Sequence, residues 1–234
     1  MISELFVSPF TGIFLTIFFF LIGRALYSRW QIPLFNPLIF AIICIILLLM
    51  VTNTSYEDYY QGGQYIGLWI TPATVALAIK LKKNYHHLKQ NYISILTGVV
   101  AGVLFHTVIV LVSVLLLRLN SELFATLYPK SITTAIALGV SESLGGIVSL
   151  TVAIVVFTGI VGAVVAEPIL KLCGVTDPVA QGIAIGSSSH AMGTTKAIQM
   201  GQVQGAMSGL AIIVTGIIVV VLVPVAEIIL ASLF

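Results

Sequence analysis

Eight apolar stretches divide this 234-residue chain, at roughly 9–28, 36–53, 63–81, 92–117, 130–145, 147–170, 179–199 and 205–232. A helix needs about 20 apolar residues to cross a bilayer, and a backbone inside lipid must satisfy its own polar groups. The pattern therefore predicts an all-α, polytopic transmembrane bundle. Charge agrees, because only 8% of residues are Asp, Glu, Lys or Arg, whereas a soluble domain carries roughly 25%. The net charge of +2 comes from scattered loop residues. No basic face for nucleic acid can be assembled from them. Cys44 and Cys173 make no disulfide framework and no zinc spacing, and no cofactor or metal is expected. Glu4 stands where a signal peptide would have a basic region, and Arg24 and Arg29 follow the first apolar stretch. A retained first helix is expected.

The intervening polar residues set an orientation. Arg24 and Arg29 fill the first expected loop, Glu57 and Asp58 the second (52–64), and Lys80, Lys82, Lys83, His86, His87 and Lys89 the third. The positive-inside rule puts the first and third loops in the cytoplasm and the acidic pair outside. The third loop then requires 63–81 to cross, whereas the polar content of 186–196 favours a break or re-entry in 179–199. An offset of 119 aligns Gly63, Ile66, Gly67, Ala78 and Ile79 with Gly182, Ile185, Gly186, Ala197 and Ile198. Within a single integral membrane domain over 1–234, this suggests repeats over 1–120 and 121–234.

Three polar clusters interrupt the apolar background. The longest lies within 186–200, where Ser187, Ser188, Ser189, His190, Gly193, Thr194, Thr195 and Lys196 fall inside ten positions. Polar groups at bilayer depth face a cavity, a partner helix or a substrate path. Hydroxyls and exposed N–H groups at a broken helix end suit an anion. His190 can shuttle a proton or simply pack, and Lys196 can attract an anion or snorkel to the interface. The second cluster is Thr71-Pro72-Ala73-Thr74, where proline removes a helix hydrogen bond opposite His190 in the repeat alignment. The third runs Pro129-Lys130-Ser131-Ile132-Thr133-Thr134 and continues to Ser141-Glu142-Ser143 before Gly145-Gly146. Glu142 is a candidate proton carrier, a partner for Lys196 or His190, or a loop carboxylate in water. His106 reads as a packed histidine. Gly-x-Ser-x-Gly, His-Glu-x-x-His and Walker patterns are absent, so no enzyme is expected.

Taken in order, Asn36-Pro37-Leu38, the stretch from Pro72 to Ala78, the stretch from Pro129 to Thr134, Val140-Ser141-Glu142 with Gly145-Gly146, the stretch from Gly186 to Thr194, and Gly205-Ala206 resemble the LrgB/CidB family of bacterial membrane proteins. Lys80-Leu81-Lys82-Lys83 departs from the Pro-Leu-Tyr-Lys common there. The resemblance implies a multi-pass protein of the bacterial plasma membrane. It also implies a small holin-like partner of the LrgA/CidA type and homo- or hetero-oligomers. Two functions follow from it: control of murein hydrolase activity and lysis, or transport of small carboxylates such as pyruvate, acetate or glycolate. A plastid relative carries glycolate and glycerate. The interrupted polar segments favour transport over a non-transporting regulator. The expected carboxylate site comprises Thr71, Pro72, Thr74, Lys130, Ser131, Thr133, Thr134, Ser187, Ser188, Ser189, His190, Gly193, Thr194, Thr195 and Lys196. Glu142 or His190 would carry a coupling proton.

Overall fold

The computed structural model describes residues 8–30, 32, 35–69, 72, 75, 76, 79, 82 and 85–233. Ten helices are described in two compact units, Met1–Ala73 and Thr74–Phe234. Among the described residues, four helices are long and apolar enough to cross a membrane: Phe10–Trp30, Leu88–Leu116, Val148–Leu172 and Gln202–Val221.

The first unit holds α1 (Pro9–Trp30), α2 (Pro37–Thr52) and α3 (Tyr56–Gly67). Asn36 caps α2, its side chain accepting from Leu38 N at 3.0 Å, with Pro37 at the first helical position. Helix α3 occupies most of the expected second loop. Ser55 Oγ accepts from Asp58 N at 3.1 Å and donates to the Asp58 carboxylate at 2.8 Å. Glu57 and Asp58 lie in the first turn, where the helix dipole favours them. Local capping therefore overrides the polar composition that read as loop.

The second unit holds α4 (Tyr85–Leu116), α5 (Ser121–Leu127), α6 (Thr134–Ser143), α7 (Val148–Leu172), α8 (Pro178–Met200), α9 (Gln202–Val221) and α10 (Val223–Leu233). Helix α4 also absorbs part of an expected loop. His86 and Lys89 lie on its first turns, before an irregular residue at Asn91 (φ −118°, ψ 19°). The stretch 205–232, expected as one segment, is two helices divided at Leu222. The stretch 130–145 yields only the ten residues of α6, about 15 Å of helix and too short to span.

Helix α9 is the axis of this unit, with Met207–Gly216 continuously buried. Ile95, Val99, Val103, Val110 and Val114 form a buried stripe on α4, at the four- and seven-residue spacings of one helix face. They share a core with Phe124, Ile132, Val140, Val155, Ile183, Leu210 and Val214.

Helix α8 is not a straight rod. His190 sits inside it at φ 40°, ψ −136°, and contacts on either side show that the chain doubles back there. A Cβ on Gly193 would lie 2.9 Å from Ile185 Cγ2 and 3.2 Å from Ile185 O. In a straight helix those residues would be about 12 Å apart along the axis. Ile185 also clusters with Ala197 and with Leu170 of α7. Gly182 and Gly186 of the first arm meet Gln204 and Ser208 of α9, so these run parallel. Thr194 and Ile198 of the second arm meet Ser208 and Gly205, so these run antiparallel. The stretch 179–199 thus folds as a helical hairpin, open at the end of α7 where Leu170, Val175 and Met200 gather.

Two outcomes follow. Cysteines at Thr176 and Gln202, flanking the hairpin, are expected to react with an impermeant thiol reagent from the same side of the membrane; opposite sides would show a full crossing. A Cβ on Gly186 would lie 2.8 Å from Ser208 Cα, whereas one on Gly139 meets nothing within 4 Å. Gly186→Val is expected to destabilise the purified protein by about 2 kcal/mol or more through overpacking, with Gly139→Ala neutral or stabilising, both read by thermal unfolding in detergent.

Candidate functional site: two facing hairpin tips

The tip of the α8 hairpin lies against the middle of α7. The His190 Nε2 bonds Val155 O at 2.9 Å, and as an N–H it is the donor. Gly159 of α7 is where the imidazole rests: a Cβ there would come within 2.8 Å of His190 Nε2. One turn along, a Cβ on Gly162 would collide with Ser189 Oγ and lie 2.5 Å from its Cβ. Both glycines are needed for this approach. The Thr194 hydroxyl donates to His190 O at 3.0 Å and shares a 2.7 Å hydroxyl contact with Ser208 of α9. Ser189, His190, Gly193 and Thr194 are buried, whereas Ser188 and Thr195 are exposed. Ser187 and Ser188 donate to Ala184 O, and Thr195 donates to Ala191 O. These hydroxyls close the helix ends on either side of the break.

A second hairpin comes from the other end of α7. Helices α5 and α6 are joined by residues 128–133, of which Tyr128, Pro129, Ser131 and Ile132 are buried. The base of this hairpin is tied to the start of α7. Ile147 N donates to Thr126 Oγ1 at 2.9 Å, and Ser141 Oγ meets Thr151 Oγ1 at 2.7 Å. Pro129 lies in this buried turn, and α6 starts only at Thr134, inside the expected 130–145 stretch. His106 of α4 holds the turn by donating from Nε2 to Tyr128 O at 2.8 Å.

Helix α4 links the tips. Gly102 faces Ser187, at 3.5 Å from an ideal Cβ to Ser187 Oγ, and His106 one turn later holds the other tip. The two contacts are about 6 Å apart along α4. Each tip also carries the beginning of a helix, α6 at Thr134 and the second arm of α8 just after His190. The first N–H groups of a helix have no intrahelical partner and bear partial positive charge. Thr133, the N-cap of α6, makes no side-chain cap bond, and its Oγ1 is buried without a hydrogen-bond partner. Half-buried Lys130 lies in the same turn. The arrangement offers N–H groups, hydroxyls and one ammonium, which suits a small anion.

The expected site residues separate as follows. Lys130, Ser131, Thr133, Thr134, Ser187, Ser188, Ser189, His190, Gly193 and Thr194 lie on or beside the two tips, with Thr195 on the outer face of the second arm. Lys196 lies farther down and pairs with Glu167 of α7 at 2.6 Å, not with Glu142. Glu142 is exposed near the end of α6, away from the tip. Pro72 is exposed, and Thr71 and Thr74 lie outside the described residues. In sequence His106 reads as a packed histidine, and Gly159, Gly162 and Ser208 stand outside the three polar clusters. The two glycines three apart on an apolar helix were the available signal, because small residues mark close helix approach in membranes.

Gly159→Ala is expected to displace the His190 ring and cost about 1–3 kcal/mol. Labelling of a cysteine placed at Ser188 should accelerate in that background, as mass spectrometry of the modified protein would record.

The sequence model of the LrgB-like family matches residues 16–228. The chain is 35% identical over 219 residues to the antiholin-like protein LrgB of Bacillus mycoides (strain KBAB4), covering 93% of this chain and 95% of that one. It is 34% identical, with the same coverage, to the antiholin-like LrgB proteins of Bacillus cereus (strain B4264) and Bacillus anthracis (strain CDC 684 / NRRL 3495). No solved structure matches. With a family match that runs through both hairpins and four helices fit to span a bilayer, this chain belongs to the LrgB-like family of antiholin-like, multi-pass bacterial membrane proteins.

Proposed function

We propose that this protein is a secondary transporter or channel subunit for a small monocarboxylate of the pyruvate, acetate or glycolate type, bound between the two hairpin tips. The observation that supports this reading is the unsatisfied Thr133 Oγ1 at the first turn of α6, beside Lys130. A buried hydroxyl without a partner is costly, and a bound carboxylate would relieve that cost. Backbone N–H groups at Thr134 and at the start of the second α8 arm would share the anion's charge, with Ser131, Ser187, Ser189 and Thr194 around it. His190 already gives Nε2–H to Val155 O. Its Nδ1 is the atom that would take up and release a coupling proton. Helix ends aimed at an anionic group near the bilayer centre are a recurring transporter solution.

A groove of about 480 Å³ between α4 and the first arm of α8, bordered by Ser94, Thr97, Gly98 and Asp177, supports a water-accessible approach from the open end of the hairpin. Control of lysis and of murein hydrolase activity would follow from carboxylate flux, in assembly with a small holin-like partner. The competing reading is a regulator that acts through that assembly alone and moves no solute.

Uptake of labelled pyruvate, acetate and glycolate into vesicles, with and without the small partner, separates the two. Saturable uptake is expected, falling about tenfold or more in Thr133→Val, where one hydrogen bond to a charged group is lost. His190→Ala should abolish it at normal membrane level. Absence of uptake from correctly assembled protein would leave the regulator. Unchanged uptake in both variants would remove the tips from the path.

A further inference from the structure

We infer a second anion site at the open end of the α8 hairpin, where a small carboxylate exchanges with the side chain of Glu167. The Glu167 carboxylate is held from both sides, with Lys171 Nζ 2.8 Å from Oε1 and Lys196 Nζ 2.6 Å from Oε2. These groups line a pocket of about 340 Å³ completed by Gln181, Gln199 and Gln204. Two ammonium groups share one carboxylate, so the pocket retains one uncompensated positive charge. Among the described residues, its lining includes no other acidic residue. Its remaining polar groups are carboxamides, which can donate to an anion. Gln204 Nε2 donates to Gln181 Oε1 at 3.1 Å and Gln181 Nε2 to Val175 O at 2.8 Å, which fixes this wall across the mouth of the hairpin.

A carboxylate already seated between two lysines shows the chemistry that the pocket accepts. Lys171 and Glu167 are one turn apart on α7 and hold each other locally. Lys196 stands on the second arm of the hairpin, so its bond to Glu167 ties that arm to α7. An arriving carboxylate would take Lys196 from Glu167, which keeps Lys171. The substrate is thereby gathered at the mouth of the hairpin that carries the tip. The choice of a carboxylate as ligand rests on the function proposed above; the charge imbalance does not.

The variants separate this role from a structural ion pair. Glu167→Gln frees two ammonium groups and is expected to lower the apparent KM for glycolate about fivefold, whereas Lys196→Gln raises it by a similar factor, with maximal rate little changed. A salt bridge that only braces the fold would weaken both variants alike, and equal losses would overturn the proposal. An independent measurement needs no transport. Acetylation of Lys196 by an N-hydroxysuccinimidyl ester, followed by peptide mass spectrometry on the intact purified protein, is expected to slow about threefold in glycolate over chloride at equal ionic strength. The slowing should be greater in Glu167→Gln. Should that variant fail to fold, the wild-type comparison stands alone, and equal acetylation in glycolate and chloride overturns the site. Protection of Lys196 without uptake would sustain this site while refuting the transport reading.

Discussion

The second unit depends on satisfying backbone that leaves the helix in the middle of a bilayer-sized bundle. Lipid supplies no hydrogen bonds, so non-helical chain at that depth survives only where protein surrounds it. Each tip meets this requirement with one histidine. His190 gives its Nε2–H to Val155 O, and His106 gives its own to Tyr128 O. Thr194 closes the carbonyl of His190. A non-glycine residue held at φ 40° costs on the order of 1–3 kcal/mol and persists only when its surroundings fix it. Here the imidazole bond, the Thr194 hydroxyl and the glycine bed of α7 fix it.

Glycine placement makes this possible. Without a hydrophobic drive between helices in lipid, packing rests on close approach and van der Waals contact. Gly182 and Gly186 admit α9, Gly98 and Gly102 admit the first arm of α8, and Gly159 and Gly162 admit the tip. The same economy governs the turn after α6. Gly145 adopts φ +76°, and Gly146 N reaches Ser141 O at 2.7 Å. A side chain at Gly146 would meet Ser141 and the backbone at Ala125. The hairpin bases are therefore as tightly specified as the tips.

Polar residues are graded along the α8 hairpin. At the mouth stand charges, Lys196, Lys171 and Glu167. At the tip stand hydroxyls, an imidazole and helix N–H groups. Full charges are tolerated where they pair and water reaches them, and partial charges suffice where the surroundings are apolar. The grading runs from paired full charges at the mouth to hydroxyls and helix N–H groups at the tip.

Much was legible from sequence. Apolar length dictated the membrane class, because twenty apolar residues without charge have few other homes. The ordered motifs carried the family, and the polar clusters at 130–134 and 187–194 were recognisable as costly residues in an apolar chain. Loop assignments failed at α3 and at the start of α4, where capping and helix propagation outweighed polarity. Hydropathy is a one-dimensional average and records neither the direction of the chain nor its partners. Only the tertiary structure decided that the chain reverses at His190, because the reversal lies in one φ/ψ pair and is held by contacts with α7 and α9. Only it gave Lys196 to Glu167 rather than Glu142, and turned His106 from packing into a clamp, since each pairing joins residues on different helices.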